Sequence, residues 1–260
     1  MLDLLDLLTH QPRHRSRDLD AVRDHLAIMR RAFFRDFAVE IRVGAALALF
    51  RVFAIPRLSA MLAHTGAWAR GPEGRLGRTV DLLTTLIADG YDAPRGAAAL
   101  ARINAAHARH AIANEDMLYV LTTFVTEPAR VIDEVGPRPL RAVELEAAHV
   151  FWVEVGRRMG IREIPGSFAA MAAFARAYED RHRGPADSNA VVADAALTAI
   201  VGRLPGSLAA VGRELVSALL AAPVRRACGL PDPVRPLQWA LAGVAAARRR
   251  VPWASPGRST

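Results

Sequence analysis

The sequence predicts one all-α domain of about ten helices, and three observations carry that expectation. Hydrophobic residues make up 52% of the chain but aromatics only 6%. The apolar content is therefore mostly Ala, Leu and Val, a mixture that suits packed helices better than a sheet. Nearly every long segment repeats its apolar residues at helical rather than alternating spacing. Proline and glycine fall mainly between these segments, where helices start and stop. With 260 residues the chain can bury a sizeable core.

Taken in order, "DLDAVRDHLAIMRRAF" places Leu19, Val22, Leu26 and Met29 on one face of an amphipathic helix. "EIRVGAALALFRVFAIP" is apolar nearly all round, as a central helix must be, and Pro56 closes it or opens "PRLSAMLAHTGAW". "EGRLGRTVDLLTTLIADG" stops near Gly90, and Pro94 is placed for the first turn of "PRGAAALARINAAHARHA". Asn114 is expected to cap the following helix, with Glu115 and Asp116 complementing its dipole. That expectation decides "MLYVLTTFV" for helix although its β-branched residues also suit a strand, and Pro128 is expected to interrupt it. "AVELEAAHVFWVEVGRRMG", "GSFAAMAAFARAYEDRHRG", "DSNAVVADAALTAIVGRLPG" and "LAAVGRELVSALLAAP" complete the set. Residues 1–17 and 251–260 read as flexible ends around a domain spanning 18–250.

The net charge is +8, and all 34 basic residues are arginine. These are spread through the chain, with Arg248 to Arg250 the nearest thing to a patch, so nucleic-acid binding is not expected. One cysteine, Cys228, excludes an internal disulfide and a thiolate cluster and points to a reducing, cytoplasmic setting. Cys228 reads as a small buried residue, although its arginine neighbours could activate it. The N-terminal stretch has acids where a secretory signal needs positive charge. No apolar run reaches the roughly 20 residues that span a bilayer, which leaves peripheral membrane contact open. Nothing in the sequence fixes the oligomeric state.

The P-loop, Gly-x-Ser-x-Gly and His-Glu-x-x-His signatures are all missing. Two Glu-x-x-His pairs occur, Glu146 with His149 and Glu179 with His182. On a helix this spacing suits a di-iron carboxylate site, which also needs glutamates from two further helices, Glu40 and Glu115 being the candidates. The alternative for Glu179 is a solvated helix end. His107 lies in a helix of Ala, Ile and Leu and has two readings. It is either a core histidine bonded to a carbonyl or an axial ligand to haem iron, which takes a neutral imidazole on a rigid helix in an apolar cleft. A haem also needs cations for its propionates and a polar distal group, and the preceding helix offers Arg75, Arg78 and Thr79. Arg75 and Thr79 share a face; a solvated surface is the alternative for all three.

Three blocks carry a resemblance. "ALALFRVFAIPRLSAMLAHTGAWARGPEGRLGRTVDLL", "RINAAHARHAIANEDMLYVLTTFVTEPARVIDEVG" and "ELEAAHVFWVEVGRRMGIREIP" resemble, in that order, the MpaB and rubber-oxygenase (latex-clearing protein) family of haem proteins. The likeness runs from about Asp24 to about Arg203. It implies an all-α fold with a globin-like core around haem b, and places the single proximal ligand at His107. It implies a distal side formed by Arg75, Arg78 and Thr79. The family's rubber oxygenase has lysine where Arg78 stands; a guanidinium stays protonated and ligates iron very poorly, so Arg78 is expected to bond a propionate or a distal water. His110 departs from a tyrosine pattern and is not expected to ligate. Arg157, in "GRRMG", is a further propionate candidate, or simply exposed. The implied reaction is activation of dioxygen to oxidise or cleave a hydrophobic, isoprenoid-like olefin. The other readings are a non-catalytic haem-binding or helical partner protein, and the di-iron enzyme.

Overall fold

A computed structural model of the chain describes residues 19–202 and 204–250. The expected flexible ends, 1–17 and 251–260, lie outside the described residues. Every regular element among the described residues is helical, as the Ala- and Leu-rich composition predicts. In order they are α1 (His25–Arg31), a π-helical turn (Ala32–Asp36), α2 (Ala38–Phe53), α3 (Pro56–His64), α4 (Ala67–Arg70), α5 (Pro72–Asp89) and α6 (Pro94–His107). Then follow α7 (Asn114–Val135), α8 (Ala142–Arg158), α9 (Phe168–His182), α10 (Asp187–Val201), α11 (Gly206–Leu219), α12 (Ala222–Ala227) and α13 (Arg235–Arg250). The elements beyond the expected ten include α4 and α12, whose four and six residues are too short to show a period.

Helix α7 is the centre. Its most extensive packing is against α2, and it also touches α8 and α9. Twelve of its residues are buried, from Asp116 to Ile132. Pro128 does not interrupt it: the helix runs on to Val135. The reason is tertiary. A Cβ added at Gly44 of α2 would lie 2.4 Å from the Cα of Pro128, so the two backbones cross with nothing between them. That close packing compensates the amide hydrogen bond which proline cannot make.

Polar groups tie the same helices together. The Arg51 guanidinium of α2 donates to Glu179 of α9 at 2.7 Å, and to Thr126 at 2.8 Å and Glu127 at 3.3 Å on α7. Tyr119 donates to Glu179 at 2.9 Å and stacks on Tyr178 with ring centroids 4.1 Å apart. Glu179 is thus neither a solvated helix end nor a free metal ligand. It is a buried carboxylate surrounded by donors, the arrangement that makes burying a charge tolerable.

The acidic step at the start of α7 also differs from expectation. Ala113, not Asn114, occupies the cap position, and it makes no side-chain cap. The Asn114 amide instead clamps a distant loop in both directions, accepting from the Arg162 amide at 2.9 Å and donating to the Arg162 carbonyl at 3.2 Å. Asp116 is buried and accepts from Arg57 and Tyr178. Residue type marks Asn and Asp as cap formers, but both have long-range partners here, which a local rule does not see. Cys228 is buried, and burial pushes its thiol up to about 12, so it is an inert core residue.

Candidate functional site

Helices α5 and α6 form an antiparallel hairpin that places the predicted site residues. Gly90 ends α5 with φ +82°, a left-handed conformation open to glycine. Pro94 begins α6, and a Cβ at Gly96 would sit 1.8 Å from the Gly90 carbonyl oxygen, so the hairpin closes backbone to backbone. Arg75 lies fourteen residues before the end of α5, and His107 thirteen residues after the start of α6. Nearly equal counts along two antiparallel helices bring these two residues near one another at the open end, where the charge of Arg75 acts on His107.

His107 is the last residue of α6, and His110 lies in the turn beyond it. The sequence placed both in one helix; it ends three residues sooner. Nδ1 of His107 is sealed from solvent and has no hydrogen-bond partner among the described residues. His149, by contrast, is bonded to a carbonyl, through Nε2 and the Pro165 oxygen at 2.8 Å. Burial first, then the charge of Arg75, then His110, hold His107 below the usual histidine value. It is therefore a neutral imidazole at neutral pH. Asn104, one turn earlier, donates to the Arg158 carbonyl at 3.0 Å and fixes this end of α6 on α8.

The Arg75 side chain makes no hydrogen bond or ion pair among the described residues. Its guanidinium lies over the Trp68 ring at 5.3 Å. Burial, with Arg78 nearby, makes its proton easier to lose than an exposed arginine's. The indole Nε1 of Trp68 is also buried without a partner. Two donors and one ring nitrogen thus converge here without an acceptor, and an anionic group is what such a set lacks. Trp68, on the short helix α4, was not among the sequence-predicted residues.

Thr79, one turn along α5, donates to the Arg75 carbonyl at 3.1 Å and faces a cavity of about 310 Å³. The cavity lies between α2, α5, α7 and α8, with walls such as Ile41, Leu49, Leu83, Phe124 and Trp152. The π-helical turn contributes Ala32 and Phe33 to it; one extra residue per turn swings these side chains to the wall. Two charged residues line it, Arg42 and Glu144. Burial opposes the charge of Glu144, but Arg138 and Arg141 outweigh it and hold the carboxyl at about 2. Neither Arg75 nor His107 lines this cavity. Thr79 links the two regions: it lines the cavity and bonds the carbonyl of Arg75, whose charge acts on His107.

The remaining candidates are more peripheral. Arg78 is exposed. The Arg157 side chain is 67% exposed on α8 and pairs with Glu154 at 2.6 Å. Among the described residues no group of three or more His, Cys, Asp or Glu is placed to hold a metal ion. The di-iron alternative finds no support in this arrangement: Glu146 is exposed, His149 is bonded to Pro165, and Glu179 is held by Arg51.

Comparison with known proteins adds to this. The family described as "ER-bound oxygenase mpaB/B'/Rubber oxygenase, catalytic domain" matches residues 31–251. An ER-bound oxygenase mpaB' of Penicillium brevicompactum is 26% identical over 211 residues, 74% of this chain and 50% of that protein. An ER-bound oxygenase mpaB of Penicillium roqueforti is 26% identical over 199 residues, 69% of this chain and 66% of that protein. The chain thus spans half to two thirds of the length of these relatives. No described helix is long and apolar enough to cross a membrane.

Proposed function

The chain belongs to the family of mpaB/B' and rubber oxygenase catalytic domains, and on that premise we propose that it is a haem b-dependent oxygenase acting on a hydrophobic, olefinic, isoprenoid-like small molecule. The observation that carries the cofactor is the pairing at the open end of the α5–α6 hairpin. His107 is a neutral imidazole with a buried, unpartnered nitrogen, and beside it Arg75 is a half-buried cation with no anion. A histidine nitrogen for the iron and a guanidinium for a propionate are donors that would suit haem.

In this reading His107 would hold the haem iron. It needs no deprotonation, because burial and Arg75 already keep it neutral. Arg75 holds the anionic edge, with Trp68 Nε1 beside it as a further donor. Haem b bound there supplies an iron at which dioxygen is activated. Thr79 presents a hydroxyl at the boundary between this pair and the cavity, and donates to a group placed there when it releases the Arg75 carbonyl. The apolar walls orient an olefin and exclude water. Arg78 and Arg157 carry no part of this reading from where they stand. Peripheral contact with a membrane surface belongs to it: Leu208, Val211 and Leu215 form an exposed stripe on α11, and sedimentation with phospholipid vesicles tests it.

The test of the cofactor is the visible spectrum of protein reconstituted with haem. A Soret band is expected, lost in His107→Ala and kept in His110→Ala and His149→Ala. A protein that takes up no haem, or one whose band survives His107→Ala, overturns the assignment. Oxygen consumption with polyprenyl olefins then separates an oxygenase from a haem-binding protein without catalysis.

A further inference from the structure

The cavity between α2, α5, α7 and α8 carries an electrostatic asymmetry that the haem reading does not use. Its walls are aliphatic or aromatic almost throughout. Of its two charged residues, Glu144 is already satisfied: it accepts both Arg138 nitrogens at 2.7 Å, the Arg141 guanidinium at 2.7 Å and the Arg141 amide at 2.8 Å. Arg42 is different. It is exposed on α2, and its side chain makes no hydrogen bond or ion pair among the described residues. Its guanidinium lies 5.9 Å from the centre of the Phe33 ring, and Phe33 is itself a wall of the cavity. This contact leaves the donors of the guanidinium free while keeping it beside Phe33. The cavity thus combines an apolar interior with a single uncompensated positive charge where it meets solvent.

We infer that this cavity takes an amphiphile with one anionic end, a carboxylate on an apolar chain, and that Arg42 is the residue that selects the anion and sets which end stays at the mouth. The inference rests on the reading of the cavity as the substrate site and names the class of substrate. The carboxylate forms a forked, charge-assisted pair with Arg42. The chain runs inward past Phe33 and replaces the water that apolar walls hold poorly. A polar group at the far end would meet no partner other than the hydroxyls of Thr79 and Thr84 on α5. The orientation follows: the end remote from the carboxylate lies toward Thr79, which bonds the Arg75 carbonyl one turn along α5.

Trp152 lines the same cavity and reports on its filling. The experiment is a fluorescence titration of the purified full chain with decanoate, decanol and decylamine, before and after haem loading. Decanoate is expected to bind about tenfold more tightly than decanol, the size of one charge-assisted hydrogen bond, with decylamine weakest. The preference is expected to vanish in Arg42→Ala, to persist in part in Arg42→Lys, and to be unchanged in Arg157→Ala. Trp152→Phe is expected to remove the signal. Equal binding of the acid and the alcohol, or a preference that survives Arg42→Ala, overturns the inference, and so does a cavity that takes none of the three. Because the readout needs neither haem nor turnover, a protein that takes up no haem would sink the oxygenase reading and leave this result standing.

Discussion

Glu144 offers the most quantitative test of the structure. It is only 4% exposed, yet charged. Burial alone would raise its carboxyl, but the bidentate Arg138, the Arg141 side chain and the Arg141 amide lower it from an ordinary 4.5 to about 2. The amide contact also makes Glu144 the acidic partner of a capping box at the start of α8. At 1.36 kcal/mol per pH unit, this depression corresponds to about 3 kcal/mol of stability. The sign follows from which state binds the proton first. The unfolded chain protonates Glu144 near its ordinary value and the folded chain only near 2, so the contribution is complete above about pH 5 and lost as pH falls toward about 2. The assay is urea unfolding of wild type and Glu144→Gln at several pH values from 7 to 2. Other carboxyls titrate in the same window, so the informative quantity is the difference between the two proteins. Wild type should lose about 3 kcal/mol more than the variant on going to the acid end. Parallel curves would show that the donors around Glu144 do not outweigh its burial, and the account of this cavity wall would fail with them.

Two further outcomes test the hairpin that presents His107. In Arg75→Gln the His107 pKa, followed by NMR of the ring protons, should rise toward the ordinary histidine value while remaining below it, because burial outranks Arg75 among the causes; no change would mean that Arg75 does not face the imidazole. Gly96→Ala should lower stability by about 1–3 kcal/mol, because its methyl must displace the Gly90 carbonyl; thermal melting checks this, and an unchanged midpoint would refute the closeness of α5 and α6.

Much of the fold is legible in the order of residues alone. Apolar residues at helical spacing, with Pro56 and Pro94 at helix starts and Gly90 at a helix end, define most of the elements, because these are local properties of the chain. The same blocks of residues gave the family likeness, and they singled out His107, Arg75 and Thr79 from the many similar residues of an arginine-rich chain. What the tertiary structure alone decided was the partners of polar groups. Asn114 and Asp116 look like cap residues, yet they bond to Arg162, Arg57 and Tyr178, between 48 and 62 positions away in the chain or turned back toward it. Glu179 looks like one end of a polar helix and is buried against Arg51. Pro128 looks like a stop and is a packing surface for Gly44. Arg42 and Trp68 give no periodic signal; a cavity rim and an unpartnered indole distinguish them. The physical reason is common to all of these. Helix propensity and hydrophobic period act between residues a few positions apart, whereas the pairing of a buried charge or donor depends on whichever distant segment the packed helices bring to it.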